Sequence, residues 1–339
     1  MDILAVTCMR NEGPYCVEWI AHHRAAGFTK FLIYTHDCTD GTDVLLDLLP
    51  DVTHVSFTVV EGKSSQWRAM QLADKHPLMA ETDWAMFFDC DEFLCLQAPM
   101  LTIRDLLTTV QDDTDAIALQ WRLFGSSGET NWTSGLTIER FTHAAPLDFN
   151  LPAGCFFKTL FRPSKFQKIG VHRPKNKKNG TQNWLLGGTQ AAAPAFTNDD
   201  KRINLFGLVG EKPIAWLNHY STKSVTEFMV KRERGLPNRR TKNIDLSYWA
   251  ERNFNTIEDH TIKPMLPSTM DAYTELLKVE GVSELVLQAE KMHKGTFDTL
   301  MNQRESVMLF LHLSLLIGSE VPNSKDVHTH LKRLAASTP

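Results

Sequence analysis

The sequence predicts an α/β fold in which a mostly parallel, Rossmann-like sheet is flanked by helices and followed by a helical C-terminal region. Over about the first 120 residues, short apolar runs alternate with segments of helical periodicity, which is typical of a parallel sheet with helical crossovers. After about residue 224 the pattern is helical to the end of the 339-residue chain. A chain of this length holds one large domain or two modest ones.

The elements follow from local patterns taken in chain order. Residues 3–7 form an apolar strand, Pro14 suits the first turn of the next helix, and Gly27 suits its end. Apolar runs bounded by turn residues predict the later strands, with helices at residues 44–49 and around 67–72 between the early ones. The later strands are predicted at residues 31–34, 55–60, 84–88, 117–123, 156–161 and 214–220.

A long polar segment connects the last two predicted strands. It contains the basic run at residues 175–180, the pair Gly187-Gly188 and the acidic run at residues 198–200. A connection of this length and polarity is typical of a mobile functional loop or of a disordered segment.

The most informative motif is Asp89-Cys90-Asp91, directly after the apolar run at residues 84–88. Residues two apart on an extended strand point the same way, so Asp89 and Asp91 are expected to share one cation. Carboxylate oxygens suit Mg2+ and Mn2+. Glu92 adds a third carboxylate, whose repulsion a cation or an uneven sharing of protons would relieve.

An acidic strand end facing water would give the same pattern, and the order of the other motifs favours the metal site. In parallel sheets, ligands bind beyond the carboxyl ends of the strands. Several polar residues are predicted to lie at such ends: Asn11, Asp37, Asp40, Asp89 and Asp91.

Five sequence blocks recur in a defined order and spacing: Arg10-Asn11-Glu12-Gly13 with Glu18-Trp19 and His22-His23, residues 37–42, residues 83–94, residues 124–128, and Asn218-His219-Tyr220 with Lys223-Ser224. Together they resemble GT-A-fold glycosyltransferases of the broad family 2 type, in particular a bacterial branch related to family 92. The resemblance covers roughly residues 1–236. It implies a GT-A catalytic domain at residues 1–240 and a helical region at 241–339. The nucleotide-sugar half is expected at about 1–125 and the acceptor half at about 126–240.

The resemblance implies sugar transfer from a nucleotide-diphosphate donor, with inversion expected and Mn2+ or Mg2+ bridging the two phosphates. It implies that Asp91 binds the metal, that Asp89 contacts the metal or the ribose, and that His219 completes the metal shell, with His172 as the rival ligand. Many relatives carry an aspartate near position 35, where this chain has Thr35-His36-Asp37. The nucleotide-sugar site is expected to comprise Thr7, Arg10, Asn11, Glu12, Asp37, Asp89 and Lys223.

Inverting transfer needs a carboxylate that takes the proton of the acceptor hydroxyl, whereas retaining transfer needs no such base. Glu211 and Glu129 are the preferred candidates. The others are Asp148, Asp199 and Asp200. Among the aromatic residues, Trp121, Trp132 and Trp184 are candidates for stacking on a sugar ring or for filling the core.

Three alternatives use similar features: a non-catalytic GT-A-like protein that binds a glycan or a partner, a sugar-phosphate nucleotidyltransferase, and a metal-dependent phosphohydrolase. The loop at residues 7–12 is not the glycine-rich basic loop of nucleotidyltransferases. A phosphohydrolase normally needs more His and Asp ligands than this acidic strand end supplies.

Composition indicates the expected cellular compartment and binding partners of the protein. The formal charge of −4 gives no reason to expect nucleic-acid binding, and six cysteines without a CxxC pair are typical of reduced thiols in the cytoplasm. The first residues lack the features of a signal peptide, and the apolar stretch at 307–318 is too short to span a bilayer. The predicted acceptor is a glycan, lipid or protein. The C-terminal helices are candidates for peripheral contact with the inner face of the membrane or for homodimer formation.

Overall fold

The computed structural model describes residues 1–59, 62, 64–149, 151–178, 180–208, 210–235 and 244–337, and within them the chain builds a central ten-stranded sheet. The predicted α/β architecture with a helical C-terminal region is confirmed. The strands are β1 (Ile3–Met9), β2 (Lys30–Thr35), β3 (Val52–Ser56), β4 (Trp84–Phe87), β5 (Glu92–Leu96), β6 (Thr114–Leu123), β7 (His143–Ala144), β8 (Phe157–Phe161), β9 (Phe166–Lys168), β10 (Lys175–Lys177), β11 (Asn183–Leu186), β12 (Gln190–Ala191), β13 (Ala215–His219) and β14 (Ile257–Glu258).

Helices cover both faces of the sheet and form the C-terminal region. They are α1 (Gly13–Ala25), α2 (Thr42–Leu48), α3 (Ser65–Ala73), α4 (Pro77–Glu81), α5 (Ile103–Thr109), α6 (Thr137–Arg140), α7 (Pro194–Thr197), α8 (Val225–Arg234), α9 (Leu246–Ala250), α10 (Leu266–Leu277), α11 (Val282–Leu300), α12 (Arg304–Leu315) and α13 (Ser324–Ala336). Short 3-10 turns lie at Pro152–Gly154, Pro163–Lys165 and Lys263–Met265.

Strand order brings the ends of β1, β2 and β4 to one edge of the sheet. The order is β12-β11-β6-β8-β4-β1-β2-β3, and β13 pairs with both β6 and β5. The pairs of β1 with β2, β1 with β4, β2 with β3, β6 with β11 and β6 with β13 are parallel. The carboxyl ends of these parallel strands therefore meet where ligands bind in sheets of this kind.

Apolar side chains fill both faces of the sheet, as a buried parallel sheet requires. Along β1, Ile3 and Ala5 join the cluster that contains Trp19 of α1, whereas Leu4 and Val6 join the cluster on the opposite face. This alternation explains why β1 reads as one continuous apolar run.

Two of the C-terminal helices, α10 and α11, pack on α1. His22 of α1 approaches Thr269 of α10, with 3.1 Å between Nδ1 and Oγ1. A Cβ placed on Gly13 would lie 2.5 Å from the Cβ of Ala289, so α11 approaches the start of α1 too closely for any larger residue at position 13. No helix in the part of the chain described by the structure is long and apolar enough to cross a membrane.

Two segments differ from the sequence-based expectations. Strand β3 covers Val52–Ser56 rather than residues 55–60, and Val60 lies outside the described residues. Much of the predicted loop is ordered secondary structure: β9 and β10 form a hairpin, and β11 joins the main sheet beside β6. The buried side chains of Trp184 and Leu186 explain the placement of β11. Asn179 and the expected boundary at 240–241 lie outside the described residues.

Candidate active site

The acidic motif forms a turn between two strands. Because β4 ends at Phe87 and β5 begins at Glu92, Asp89 and Asp91 do not lie on one extended strand, and the expectation of a shared strand face was wrong. The amide of Glu92 donates to the carbonyl of Asp89 at 3.0 Å. The indole Nε1 of Trp19 donates to the carbonyls of Asp89 and Glu92, both at 3.1 Å, and fixes the turn against α1.

The side chain of Asp89 contacts residues of β8 and α3. Its carboxylate accepts from Lys158 Nζ at 3.0 Å and from Gln66 Nε2 at 2.7 Å. Lys158 is fully buried and also lies 3.6 Å from Glu92. Burial raises the pKa of Glu92 well above its ordinary value despite Lys158. Burial opposes the charge on Lys158, but Asp89 and Glu92 raise the pKa of its ammonium group. The favoured state therefore combines a charged Lys158 with a protonated Glu92.

Asp91 has a different set of partners. Lys231 Nζ donates to Asp91 at 2.6 Å and to the carbonyl of Ser221 at 2.8 Å. His219 Nε2 lies 3.5 Å from the second carboxylate oxygen. Burial opposes ionisation of Asp91, but Lys231 and His219 hold its pKa well below the ordinary range.

The two histidine candidates lie on either side of Trp121. Ring centroids are 4.3 Å apart for Trp121 and His219 and 5.7 Å apart for Trp121 and His172. Burial lowers the pKa of His219, and it lowers that of His172 to about 4. Nδ1 of His172 forms a hydrogen bond with the carbonyl oxygen of Phe157 at 2.9 Å. Of the two histidines, His219 is the one that contacts Asp91.

The residues at this site meet only some of the requirements for binding a divalent cation. Asp91 is ionised and His219 is neutral, which are the protonation states that metal ligation requires. The Nδ1 atom of His219 is buried and lacks a hydrogen-bond partner among the described residues. Asp89 faces Lys158 instead. Among the described residues, no three His, Cys, Asp or Glu side chains are grouped so as to hold a metal.

A cleft of about 270 Å³ opens beside Asp91. Its walls are the loop between β1 and α1, the turn between β2 and α2, the start and one face of α8, and one face of α11. The residues that line it are Arg10, Asn11, Glu12, Tyr15, Thr39, Asp40, Asp91, Ser221, Thr222, Lys223, Glu227, Val230, Lys231, Glu233, Arg234, Met292, His293 and Thr296.

Cationic side chains give the cleft its electrostatic character. Arg234 pairs with Glu12 and donates to the carbonyls of Arg10 and Asn11 at 3.0 and 3.1 Å. The ammonium group of Lys223 lies 3.6 Å from the centre of the Tyr15 ring. Backbone strain accompanies this arrangement, because neither Asn11 nor Lys223 is glycine and both have positive φ, at 51° and 52°.

The cleft contains some of the predicted site residues and not others. Arg10, Asn11, Glu12, Asp91 and Lys223 line it. The remaining predicted residues, which lie outside its lining, are Thr7, Asp37, Asp89, His219, Glu129 and Glu211.

The two preferred base candidates have other contacts. Glu129 pairs with Arg140 at 3.0 Å and accepts from Thr133 at 3.2 Å. Glu211 is exposed, and its backbone amide donates to the side chain of Gln190.

Sequence reasoning missed Lys158 and His293. A lysine between the apolar residues of the buried strand β8 is unusual, because lysine is almost never fully buried without a partner, and this signal could have identified Lys158. No local pattern connects His293 to the cleft.

Residues 6–250 match the family model described as glycosyltransferase family 92. The chain belongs to glycosyltransferase family 92. The resemblance noted from the sequence is confirmed. One family 92 protein from Ricinus communis is 28% identical over 151 residues, which are 40% of this chain and 25% of that protein. Another from Oryza sativa subsp. japonica is 25% identical over 130 residues, which are 37% of this chain and 21% of that protein. The chain thus spans about a quarter of the length of these relatives.

Similarity to solved structures is weak. HddC from Yersinia pseudotuberculosis aligns with a TM-score of 0.30 and 8% identity, covering 55% of this chain and 89% of that one. The mannosyltransferase Ktr4p from S. cerevisiae aligns with a TM-score of 0.23 and 11% identity, covering 38% and 42%. TM-scores this low support no conclusion about the function of this chain.

The family 92 match includes most of the cleft but not all of it. Arg10, Asp91 and Lys223 fall inside residues 6–250, whereas Met292, His293 and Thr296 of α11 lie beyond them. One wall of the cleft is therefore built by residues outside the stretch that defines the family.

Proposed function

We propose that this family 92 chain transfers a sugar from a nucleoside-diphosphate donor to a hydroxyl group, with inversion and with Mn2+ or Mg2+ as cofactor. The main support for the proposal is that, among the described residues, four cationic side chains line the same cleft as Asp91. These side chains are Arg10, Lys223, Lys231 and Arg234. The acceptor hydroxyl belongs to a glycan, a lipid or a protein.

A departing nucleoside diphosphate develops negative charge, and fixed cations stabilise that charge in the transition state. Lys223 and Lys231 lie on the side of the cleft next to Asp91, and Arg10 and Arg234 lie at the loop after β1. Arg234 is held in place by Glu12 and by two carbonyls, so it is positioned before the donor arrives.

Asp91 and His219 are the residues that would hold the divalent cation. Lys231 keeps Asp91 ionised, and burial keeps His219 neutral. When bound, the cation acts as a Lewis acid on the diphosphate oxygens. Asp89 is held by Lys158 and Gln66 and lies outside the lining of the cleft, so in this proposal it is not a metal ligand.

The cytoplasmic location and the contact of the C-terminal helices with a membrane or a second copy stay predictions. Exposed apolar residues on α12 include Val307, Leu311 and Leu315.

The test is thermal stability of the full chain against a panel of nucleoside diphosphates and nucleotide sugars, each with and without Mn2+. A ligand present at about 100 times its Kd adds roughly 2.7 kcal/mol to the stability of the native state. We expect a shift with one base class that grows when Mn2+ is added. A panel that gives no shift, on a sample that unfolds cooperatively, would overturn the proposal.

A further inference from the structure

Helix α11 is part of the cleft although it lies outside the family match. Met292, His293 and Thr296 face the cleft, and the close contact of Gly13 with Ala289 fixes the helix against the loop after β1. His293 therefore has a defined position relative to the residues that bind the donor in the proposed function.

A buried aspartate orients His293. The Nε2 atom of His293 lies 3.1 Å from Oδ2 of Asp40, whose residue is only 2% exposed. Backbone amides of Gly13 and Thr42 also donate to Asp40, at 3.1 and 3.0 Å. Burial opposes ionisation of Asp40, but the bonds from His293 and Thr42 lower its pKa below the ordinary value.

This contact fixes the tautomer of the imidazole. Because the ionised Asp40 can only accept, the proton of neutral His293 lies on Nε2, and Nδ1 carries the lone pair. Nδ1 has no hydrogen-bond partner among the described residues, and the side chain is 14% exposed in the cleft. An imidazole held by a carboxylate in this way is the arrangement of a general base.

The carboxylates of the cleft are less suited to accept a proton, because cations already hold most of them. Glu12 pairs with Arg234 and Asp91 with Lys231. Glu227 pairs with Arg140 at 2.8 Å and also accepts from Ser224 at 2.5 Å. Glu233 also lines the cleft and is exposed, so it is the rival that the experiment must separate.

On the basis of the proposed function, we propose that His293, oriented by Asp40, is the general base of the transfer. Nδ1 takes the proton of the acceptor hydroxyl as its oxygen bonds to the anomeric carbon of the donor sugar. The bond from that carbon to the diphosphate oxygen breaks, and its electron pair leaves with the nucleoside diphosphate.

Charged and titratable groups from four segments of the chain surround His293. They are Asp40 from the turn before α2, Tyr15 from α1, Lys223 and Glu227 from the start of α8, and Glu290 and Lys294 on α11 itself. Since protonated His293 cannot accept a proton, turnover is expected to fall towards acid pH.

The experiment uses the nucleotide sugar that stabilises the full chain in the thermal screen, with water as acceptor and release of nucleoside diphosphate as the readout. His293→Ala and His293→Gln are each expected to lower turnover about 100-fold or more and to remove the acidic limb of the pH profile. Glutamine keeps an N–H for Asp40, so a merely structural role would leave His293→Gln active. Added imidazole is expected to restore part of the turnover of His293→Ala.

The controls separate this proposal from the proposed function. The thermal shift with the donor should persist in both variants, and His328→Gln, an exposed histidine on α13, should match the wild type. Retained turnover and an unchanged pH profile in His293→Gln would overturn the assignment of the base. The assignment would also be overturned if the acidic limb of the pH profile were lost in Glu233→Gln and kept in His293→Gln. Loss of the donor shift in His293→Gln would make His293 a donor contact, again overturning its role as base.

Discussion

The two carboxylates of the Asp89-Cys90-Asp91 turn lie in different regions of the molecule. Asp89 pairs with Lys158 of β8, which is fully buried and also lies beside the fully buried Glu92. Asp91 faces the cleft, where Lys231 of α8 is 14% exposed and His219 is its second neighbour. Each carboxylate thus has its own lysine, and the two lysines come from different layers of the fold.

The difference assigns different tasks to two residues that look equivalent in the sequence. On the inner side, Lys158 and Glu92 are fully buried where water cannot screen them, so this side contributes mainly to stability. On the outer side, the same chemistry borders a cleft that can admit a ligand, so it determines binding. The inner side comprises Asp89, Lys158 and Glu92. The outer side comprises Asp91, Lys231 and His219.

Replacing the lysines tests this division most strongly. Lys158→Met keeps the length of the side chain but leaves Asp89 and Glu92 without their cation, and we expect it to lower the free energy of unfolding by about 3–5 kcal/mol. Lys231→Met should cost less, because Lys231 is partly exposed whereas Lys158 is fully buried, and because Asp91 keeps His219 as a neighbour. Urea denaturation measures both values. Equal losses in the two variants would contradict the division.

Removing one charge from the outer carboxylate tests its functional role. Asp91→Asn is expected to abolish the Mn2+-dependent part of the donor shift and to lower turnover about 100-fold, equivalent to roughly 2.7 kcal/mol of transition-state stabilisation. Asp89→Asn should keep the Mn2+-dependent part. Asp298→Asn, the same change at an exposed position on α11, is the matched control. Full metal-stimulated turnover in Asp91→Asn would show that Asp91 is not a ligand.

The pH dependence of the free energy of unfolding also distinguishes the two sides, and its expected effect is smaller than those of the substitutions above. The pKa of Glu92 is raised on folding, so above its ordinary value of 4.5 the native state holds one proton more than the unfolded state. Stability therefore falls as pH rises through that window, by up to about 1.4 kcal/mol per pH unit.

Asp91 has the opposite dependence. Its pKa is lowered, so its contribution is present above the ordinary value of 3.8 and is lost as pH falls below it. Denaturation at a series of pH values should show the Glu92 slope in the wild type and not in Glu92→Gln. A slope that persists in Glu92→Gln would assign it to another group.

The sequence predicted those features that depend on neighbouring residues. Strands β1 and β13 were found within two residues at each end, because each is an apolar run between turn signals. Strand β11 was missed because its apolar run, Trp184-Leu185-Leu186, is only three residues long and lies within a polar segment. The contact of His293 with Asp40 joins residues 253 positions apart, and no local pattern encodes such a pairing.

The acidic motif shows a second reason for failure. Its residue types were recognised, but residues 89–91 were expected to continue the extended strand and instead form a turn between β4 and β5, which changes where each side chain points. Interpretation of the motif thus depended on a boundary, which is the least certain part of a sequence-based assignment.

The packing of α10 and α11 on α1 has a consequence for biosynthesis. Helix α1 leaves the ribosome early, whereas the helices that cover it are made only after the whole sheet. Until α10 and α11 have been made, the nascent chain carries an uncovered apolar helix face, and such surfaces are prone to aggregate. Completion of the core around α1 must therefore wait for segments that follow the last strand of the central sheet in the chain.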